Sequence, residues 1–285
     1  MSALEFVDVV QGSPEWLALR KTKITATDAP IIMGVSPWKT KLRLYKEKKD
    51  LIESDPVTDR MKRGTELEPV ARQLFNLTFD LDMQPAVAIR GWAMASLDGI
   101  IPSCTSILEI KCPGDEVHSM AKAGIVPEYY YPQIQHQLFV VGAKMAYYYS
   151  FDGFEGQEIV VERDNDYIDK MLEEEVKFYD CLYSNTPPEP EDRDYVSRED
   201  DEWVNTATGW IEVNRQIKSL QEYEESLRQE LIRLSGENSC IGGGISTSKV
   251  TRKGLVNYAI VPQLKGVDLE PYRKAPSSSW RILKK

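Results

Sequence analysis

The sequence predicts an α/β fold with a C-terminal helical extension, and three features carry that reading. Through residue 186, stretches with helical spacing alternate with short β-branched and aromatic runs. A Pro- and acid-rich break, TPPEPEDRD at 186–194, then interrupts the pattern. Beyond it Trp210, Val213, Ile217, Leu220, Glu224, Leu227, Leu231 and Leu234 recur three and four apart, the stripe of a long helix seeking a helical partner. The expected organisation is a core over 1–186, a linker over 187–200 and an extension over 201–285.

Taken in order, GSPEWLALRKTKITATDAPIIMG reads as two helices with a short link. Ser13 caps the first, Pro14 opens it, and Trp16 and Leu19 share a face; Thr25 or Thr27 caps the second. WKTKLRLYKEKKDL reads as a basic helix. RGTELEPVARQLFNLTF reads as a helix opened at Gly64-Thr65, with Leu67, Val70 or Ala71, and Leu74 turned inward. AVAIRGWAMASLDG alternates loosely and ends at an Asp-Gly turn signal. SILEIK is a strand, PEYYYPQIQHQLFVVG a helix, KMAYYYSFDG and GQEIVVERD two strands, and NDYIDKMLEEEVKFYDCLYSN an amphipathic acidic helix. GGG at 242–244 closes the long helix, and ISTSKVTRKGLVNYAIV reads as a β-hairpin turning at Lys253-Gly254.

Composition excludes several classes. No apolar run approaches the roughly 18 residues of a membrane span, and the N-terminus has no basic or apolar signal region. Cys104, Cys112, Cys181 and Cys240 show no C-x-x-C spacing, which argues for reduced thiols in a cytosol. Two histidines are too few for a His-rich zinc site. The net charge of −10 disfavours a nucleic-acid partner at first sight. Its distribution reverses that, because residues 20–63 hold 12 Lys/Arg against 6 Asp/Glu while residues 151–235 hold 9 against 24. Positive potential is thereby concentrated. Lys39, Lys41 and Arg43 are candidates to line a duplex path through non-specific phosphate contacts.

The chemistry centres on TSILEIKCPG. Residues i and i+2 of a strand point to one face, so Glu109 and Lys111 project together while Leu108 and Ile110 face the other way. Asp98 lies eleven residues upstream at a strand end, and Glu68 lies on a helix before it. Three carboxylates and an amine suit a hard cation such as Mg²⁺, one or two ions with Mn²⁺ as a substitute, and metal-assisted phosphodiester hydrolysis. A lysine beside the ion orients or deprotonates water and offsets charge on the transition state.

The spacing D-x(10)-E-x-K matches the PD-(D/E)xK nuclease motif, with Leu97 where Pro is common. The blocks LRKTKITATDAPIIMGVSPW, RGTELEPVARQLF, ASLDG, LEIKCP and YYPQIQHQLFVVG, over roughly 12–180, resemble the YqaJ-type viral recombinase nucleases, the lambda exonuclease group. The resemblance implies a restriction-endonuclease-like core, a central mixed sheet flanked by helices. It implies an enzyme that degrades one strand of double-stranded DNA from the 5′ end with Mg²⁺, in phage-type recombination. Glu68, Asp98, Glu109 and the Ile110 carbonyl become metal ligands, Lys111 the catalytic lysine, Gln135 the family glutamine, and Arg20 and Thr27 the 5′-phosphate pocket. A phage or prophage origin, a trimeric homo-oligomer and a single-strand annealing partner are implied likewise. An endonuclease or nickase on the same site, and a silent DNA-binding scaffold, are the alternatives.

Overall fold

The computed structural model describes residues 3–250, 261, 262 and 267. The chain divides into two units, Met1–Val196 and Ser197–Lys285.

The first unit begins with strand β1 (Leu4–Val7), helix α1 (Pro14–Thr22), strand β2 (Ile24–Thr25) and helices α2 (Ala29–Ile32), α3 (Lys41–Lys48) and α4 (Asp59–Phe79). Ser13, Thr40 and Thr58 cap α1, α3 and α4, each hydroxyl accepting a backbone N–H three residues on. Helix α4 thus starts at Asp59, five residues before the Gly64-Thr65 opening expected from sequence. It buries Ala71 and Phe75, while Val70 faces solvent. Strands β3 (Gln84–Arg90), β4 (Ala93–Ile100) and β5 (Ser106–Lys111) follow, then helices α5 (Asp115–Lys122) and α6 (Tyr131–Val141), strands β6 (Met145–Phe151) and β7 (Gly156–Glu162), and helix α7 (Asn165–Ser184).

The strands form one mixed sheet in the order β1-β3-β4-β5-β6-β7, with β2 pairing in parallel to β4. β5 and β6 are parallel, and the other neighbours are antiparallel. One face packs Leu97, Ile107 and Tyr148 on Ile134 and Leu138 of α6. The opposite face packs Leu108, Ile110 and Tyr149 on Ala71 and Phe75 of α4. Full burial of each such side chain contributes about 1.5–3 kcal/mol, so the two helices fix the twist and position of β4 and β5.

The run AVAIRGWAMASLDG is two strands rather than one. Arg90 pairs with Ala93, leaving Gly91-Trp92 as a two-residue hairpin turn, and Gly91 has the positive φ of 62° that such a turn needs at its first position. Asp98-Gly99 is no turn; it lies inside β4. Gly99 is there for space, since a Cβ would stand 2.7 Å from Met83 Cβ and 3.1 Å from Leu108 Cβ. Gly99→Ala is expected to lower stability by about 1–3 kcal/mol through overpacking, read by thermal denaturation; an unchanged melting temperature would contradict that account.

The stretch expected as a free linker is fastened to the first unit. Arg193 donates to the carbonyls of Ser36 and Lys39, and Thr40 Oγ1 donates to Asp194. In the second unit, helix α8 (Asp201–Ser235) is capped by Asp200 and buries none of its residues, so the apolar stripe is open along Val213, Ile217, Leu220 and Leu227. Strands β8 (Cys240–Gly242) and β9 (Ile245–Thr247) pair antiparallel, which puts Gly243 and Gly244 in a hairpin turn. The hairpin expected around Lys253-Gly254 lies outside the described residues. No described helix is long and apolar enough to cross a membrane.

Candidate active site where two strands part

The pairing of β4 with β5 holds at Ile100↔Ile107 and Gly99↔Leu108. Beyond that point an Asp98 carboxylate oxygen accepts the Ile110 N–H at 2.7 Å. The side chain thus satisfies a backbone donor that a strand partner would otherwise take, and it holds Asp98 between the diverging strands. Glu109 and Lys111 share the α6 face of β5, as their spacing predicts, and form an ion pair.

Glu109 is 1 % exposed. Burial of a carboxylate needs several donors, and α6 supplies two. Gln133 Nε2 donates to the same Glu109 oxygen as Lys111, and Gln137 Nε2 donates to the other at 2.5 Å. Residues 133 and 137 are one turn apart, so they reach the same carboxylate. Sequence reasoning missed both. Gln135, chosen from QIQHQ, points elsewhere: its Nε2 donates to the Glu162 carbonyl at 2.8 Å, and its Oε1 accepts the Asp164 N–H at 3.0 Å. Two residues along a helix turn a side chain by about 200°, and that rotation carries Gln135 away from Glu109.

Glu68 pairs with Arg72 at 2.9 Å, the i,i+4 contact on α4, and the same guanidinium nitrogen donates to the Asp98 carbonyl at 2.8 Å. Arg72 therefore ties Glu68 to the strand junction. Burial first, then the negative charges of Glu109 and Glu68, raise the Asp98 carboxyl well above the usual carboxylate range. Burial pulls the Lys111 ammonium down, but Glu109 and Asp98 outweigh it and hold the amine above its ordinary value. Lys111 Nζ also lies 5.0 Å from the Tyr130 ring centroid, inside the range of a cation–π contact. Tyr130 contacts the rings of Tyr129 and Tyr148, so the Tyr129-Tyr130-Tyr131 run includes packing beside the lysine.

The donor set fits a hard divalent ion, because carboxylate oxygens dominate it. Among the described residues, however, the ligand atoms of Glu68, Asp98 and Glu109 do not all lie within 4.8 Å of one another. Both Glu109 oxygens are held by Lys111 and the two glutamines instead.

A second cluster sits on α1 and the loop after β2. Arg20 Nη2 donates to Thr27 Oγ1 at 2.9 Å, Thr25 Oγ1 is 3.1 Å from Thr27 Oγ1, and the guanidinium stacks 4.5 Å from the Trp16 ring. Thr27 does not cap α2; that place belongs to Asp28. Ser96, two residues before Asp98, connects the clusters: its hydroxyl accepts Trp16 Nε1–H at 2.9 Å, and its carbonyl accepts from Gln137 at 3.3 Å.

The three residues named for a duplex path, Lys39, Lys41 and Arg43, all form ion pairs. Lys39 pairs with Glu47 and Asp55, Arg43 with the same two acids, and Lys41 with Glu174. Lys48 is buried against Asp28 at 2.8 Å and donates to the carbonyls of Arg20 and Lys23, which makes it a brace for the end of α1.

Residues 15–144 match the sequence model of the YqaJ-like viral recombinase domain. Over that stretch, slightly under half of its length, the chain resembles that domain. The match spans α1 to the end of α6 and so contains every residue of both clusters. A protein of Bacillus subtilis named YqaJ, uncharacterised, is 28% identical over 176 residues, which is 58% of this chain and 54% of that relative. The chain thus spans about half the length of the curated relative it matches. Among solved structures, the alkaline exonuclease LHK-Exo of Laribacter hongkongensis is similar at 26% identity with a TM-score of 0.54, over 61% of this chain and 94% of that one. Its complex with dAMP matches at 25% identity with the same TM-score and coverage. The first unit therefore has the PD-(D/E)xK α/β fold, a central mixed sheet flanked by helices.

Proposed function

We propose that the protein is a metal-dependent deoxyribonuclease that hydrolyses one strand of duplex DNA from a 5′ end. The observation that carries this reading is the meeting of Asp98, Glu109 and Lys111 where β4 and β5 part, inside a stretch that resembles the viral recombinase domain. The likeness to an alkaline exonuclease, and to its dAMP complex, supports the exonuclease reading.

In this reading Asp98, Glu109 and Glu68, with the Ile110 carbonyl, hold the ion. Bound Mg²⁺, or Mn²⁺ in its place, supplies Lewis-acid polarisation of the scissile phosphate and a water of lowered pKa. Glu109 gives up its ion pair with Lys111. Gln133 and Gln137 keep its carboxylate oriented, and Lys111, released from it, turns to the phosphate. A lysine amine, with an ordinary pKa of about 10.4, is an ammonium at neutral pH. It donates to the oxygen on which negative charge grows as water attacks phosphorus and the bond to the leaving oxygen breaks.

Arg20 and Thr27 offer a guanidinium and a hydroxyl for a terminal 5′-phosphate, the charge-assisted pairing in which arginine is strongest. Arg20→Ala is expected to reduce the preference for 5′-phosphorylated over 5′-hydroxyl ends by about tenfold or more, the ~1.5–3 kcal/mol of a hydrogen bond to a charged group. Competition between the two end types measures it, and an unaltered preference would remove Arg20 from the pocket.

The reading as a whole is tested with linear duplexes labelled at the 5′ or 3′ end and a closed circle, all in Mg²⁺. Nucleotide release from the 5′ end of linear DNA, with the circle intact, is expected. Cutting of the circle would make the protein an endonuclease or nickase instead. A homo-oligomer, a trimer in this family reading, and a single-strand annealing partner complete the proposed role in phage-type recombination within a host cytosol.

A further inference from the structure

Away from these clusters, one buried side chain has a nitrogen with nothing to bond. His118 of α5 is 3 % exposed. Its Nδ1 is 2.9 Å from Ser150 Oγ on β6. Its Nε2 makes no hydrogen bond among the described residues. That nitrogen faces the Asp152 carboxylate, 3.7 Å away, too long for a hydrogen bond. The Asp152 carboxylate is itself fixed, because its other oxygen accepts the N–H groups of Phe154 at 2.7 Å and Glu155 at 2.9 Å. Glu155 completes a group of three ligand atoms that all lie within 4.8 Å of one another.

We propose that His118, Asp152 and Glu155 form a second divalent-metal site, for a borderline transition ion of the zinc type, which clamps α5 to the turn between β6 and β7. A nitrogen and an oxygen bound to one zinc-type ion lie up to roughly 4.2 Å apart, the sum of bonds of about 2.0–2.1 and 2.0–2.2 Å. The 3.7 Å gap accommodates both bonds at a bent angle. Ser150 Oγ, 2.9 Å from Nδ1, stands where the outer partner of such histidines stands; in the proposed site Nδ1 carries the proton and Nε2 the lone pair for the metal. Imidazole with carboxylates selects a transition ion over Mg²⁺, which sets this site apart from the carboxylates beside Lys111. Two cations stand nearby. Lys122 pairs with Glu155 and must release it, and Arg63 donates to the Asp152 carbonyl, leaving the carboxylate open.

The chain has only two histidines, so ¹⁵N-histidine labelling of the intact protein gives a direct readout. Adding Zn²⁺ to the wild type should shift the His118 Nε2 resonance and leave His136 unmoved. Zn²⁺ affinity should survive in Glu109→Gln and fall at least ~10-fold in Asp152→Asn, the least that disrupting a metal shell costs. Asp152→Asn keeps an oxygen for the two loop N–H groups, so its fold is expected to persist. A His118 resonance that does not move at saturating Zn²⁺, or that titrates equally in wild type and Asp152→Asn, would overturn the site. So would Zn²⁺ binding that disappears entirely in Glu109→Gln.

Discussion

Lys111→Ala is expected to lower nucleotide release by at least about 10²–10³-fold, the loss found when one donor to a transition-state oxyanion is removed, while duplex binding stays near the wild-type level. Lys111 is the amine paired with Glu109, on the strand that leaves Asp98, and those two acids hold it protonated. Alanine cannot answer the charge that grows on phosphorus oxygens, whereas ground-state contacts along the duplex are untouched. The same change leaves Glu109 with the two glutamines alone, so the melting temperature is measured beside activity. Assays run well below that temperature separate lost chemistry from lost fold. Wild-type turnover in the variant would remove Lys111 from the reaction.

The second large effect lies in the core behind the site. His136 of α6 and Glu175 of α7 are both fully buried, with Nδ1 2.7 Å from a Glu175 oxygen and Nε2 3.2 Å from the Met94 carbonyl. Both ring nitrogens face acceptors, so the ring is best satisfied as an imidazolium. Burial lowers its pKa, but Glu175 outweighs burial and the net direction is upward. The sign of the linkage follows. The pair's stabilisation is complete below the unfolded histidine value of about 6.5 and is lost as pH rises through the higher folded value. His136→Ala strands a buried carboxylate and should cost about 3–5 kcal/mol, a fall of roughly 10 °C in melting temperature. Replacing both residues by leucine should recover most of that loss and remove the pH slope. A His136→Ala protein that melts like wild type would contradict the pairing.

These two sites show where sequence was legible and where it was not. Strand β5 was readable to the residue, because SILEIK is a short apolar run that stops at Cys112-Pro113-Gly114. Strands β6 and β7 were readable from their aromatic and β-branched residues, and helix α7 from its amphipathic period. The orientation of α6 was not. Nine of its eleven residues are buried, so no polar stripe marks an outer face, and nothing in QIQHQ tells which glutamine meets Glu109. The glycine of Asp98-Gly99 imitated a turn signal while serving close packing of Met83 on Leu108. Helix α5 escaped notice because it is eight residues long and its cap, Gly114, offers no side chain. Strand β1 is four residues at the sheet edge. In the basic run at 39–49, a count of lysines does not show where the acids fall; Glu174, which meets Lys41, is far away in sequence.

The central claim is that the acids at the parting of β4 and β5 hydrolyse DNA only with a divalent ion. Release of nucleotides from a linear, 5′-phosphorylated duplex tests it most directly, in Mg²⁺ and in excess chelator, for wild type and for Asp98→Asn. Release by the wild type in Mg²⁺ alone, and at least about 10²-fold less by the variant at equal folding, is the predicted result. Undiminished release in chelator, or equal release by Asp98→Asn, would contradict it.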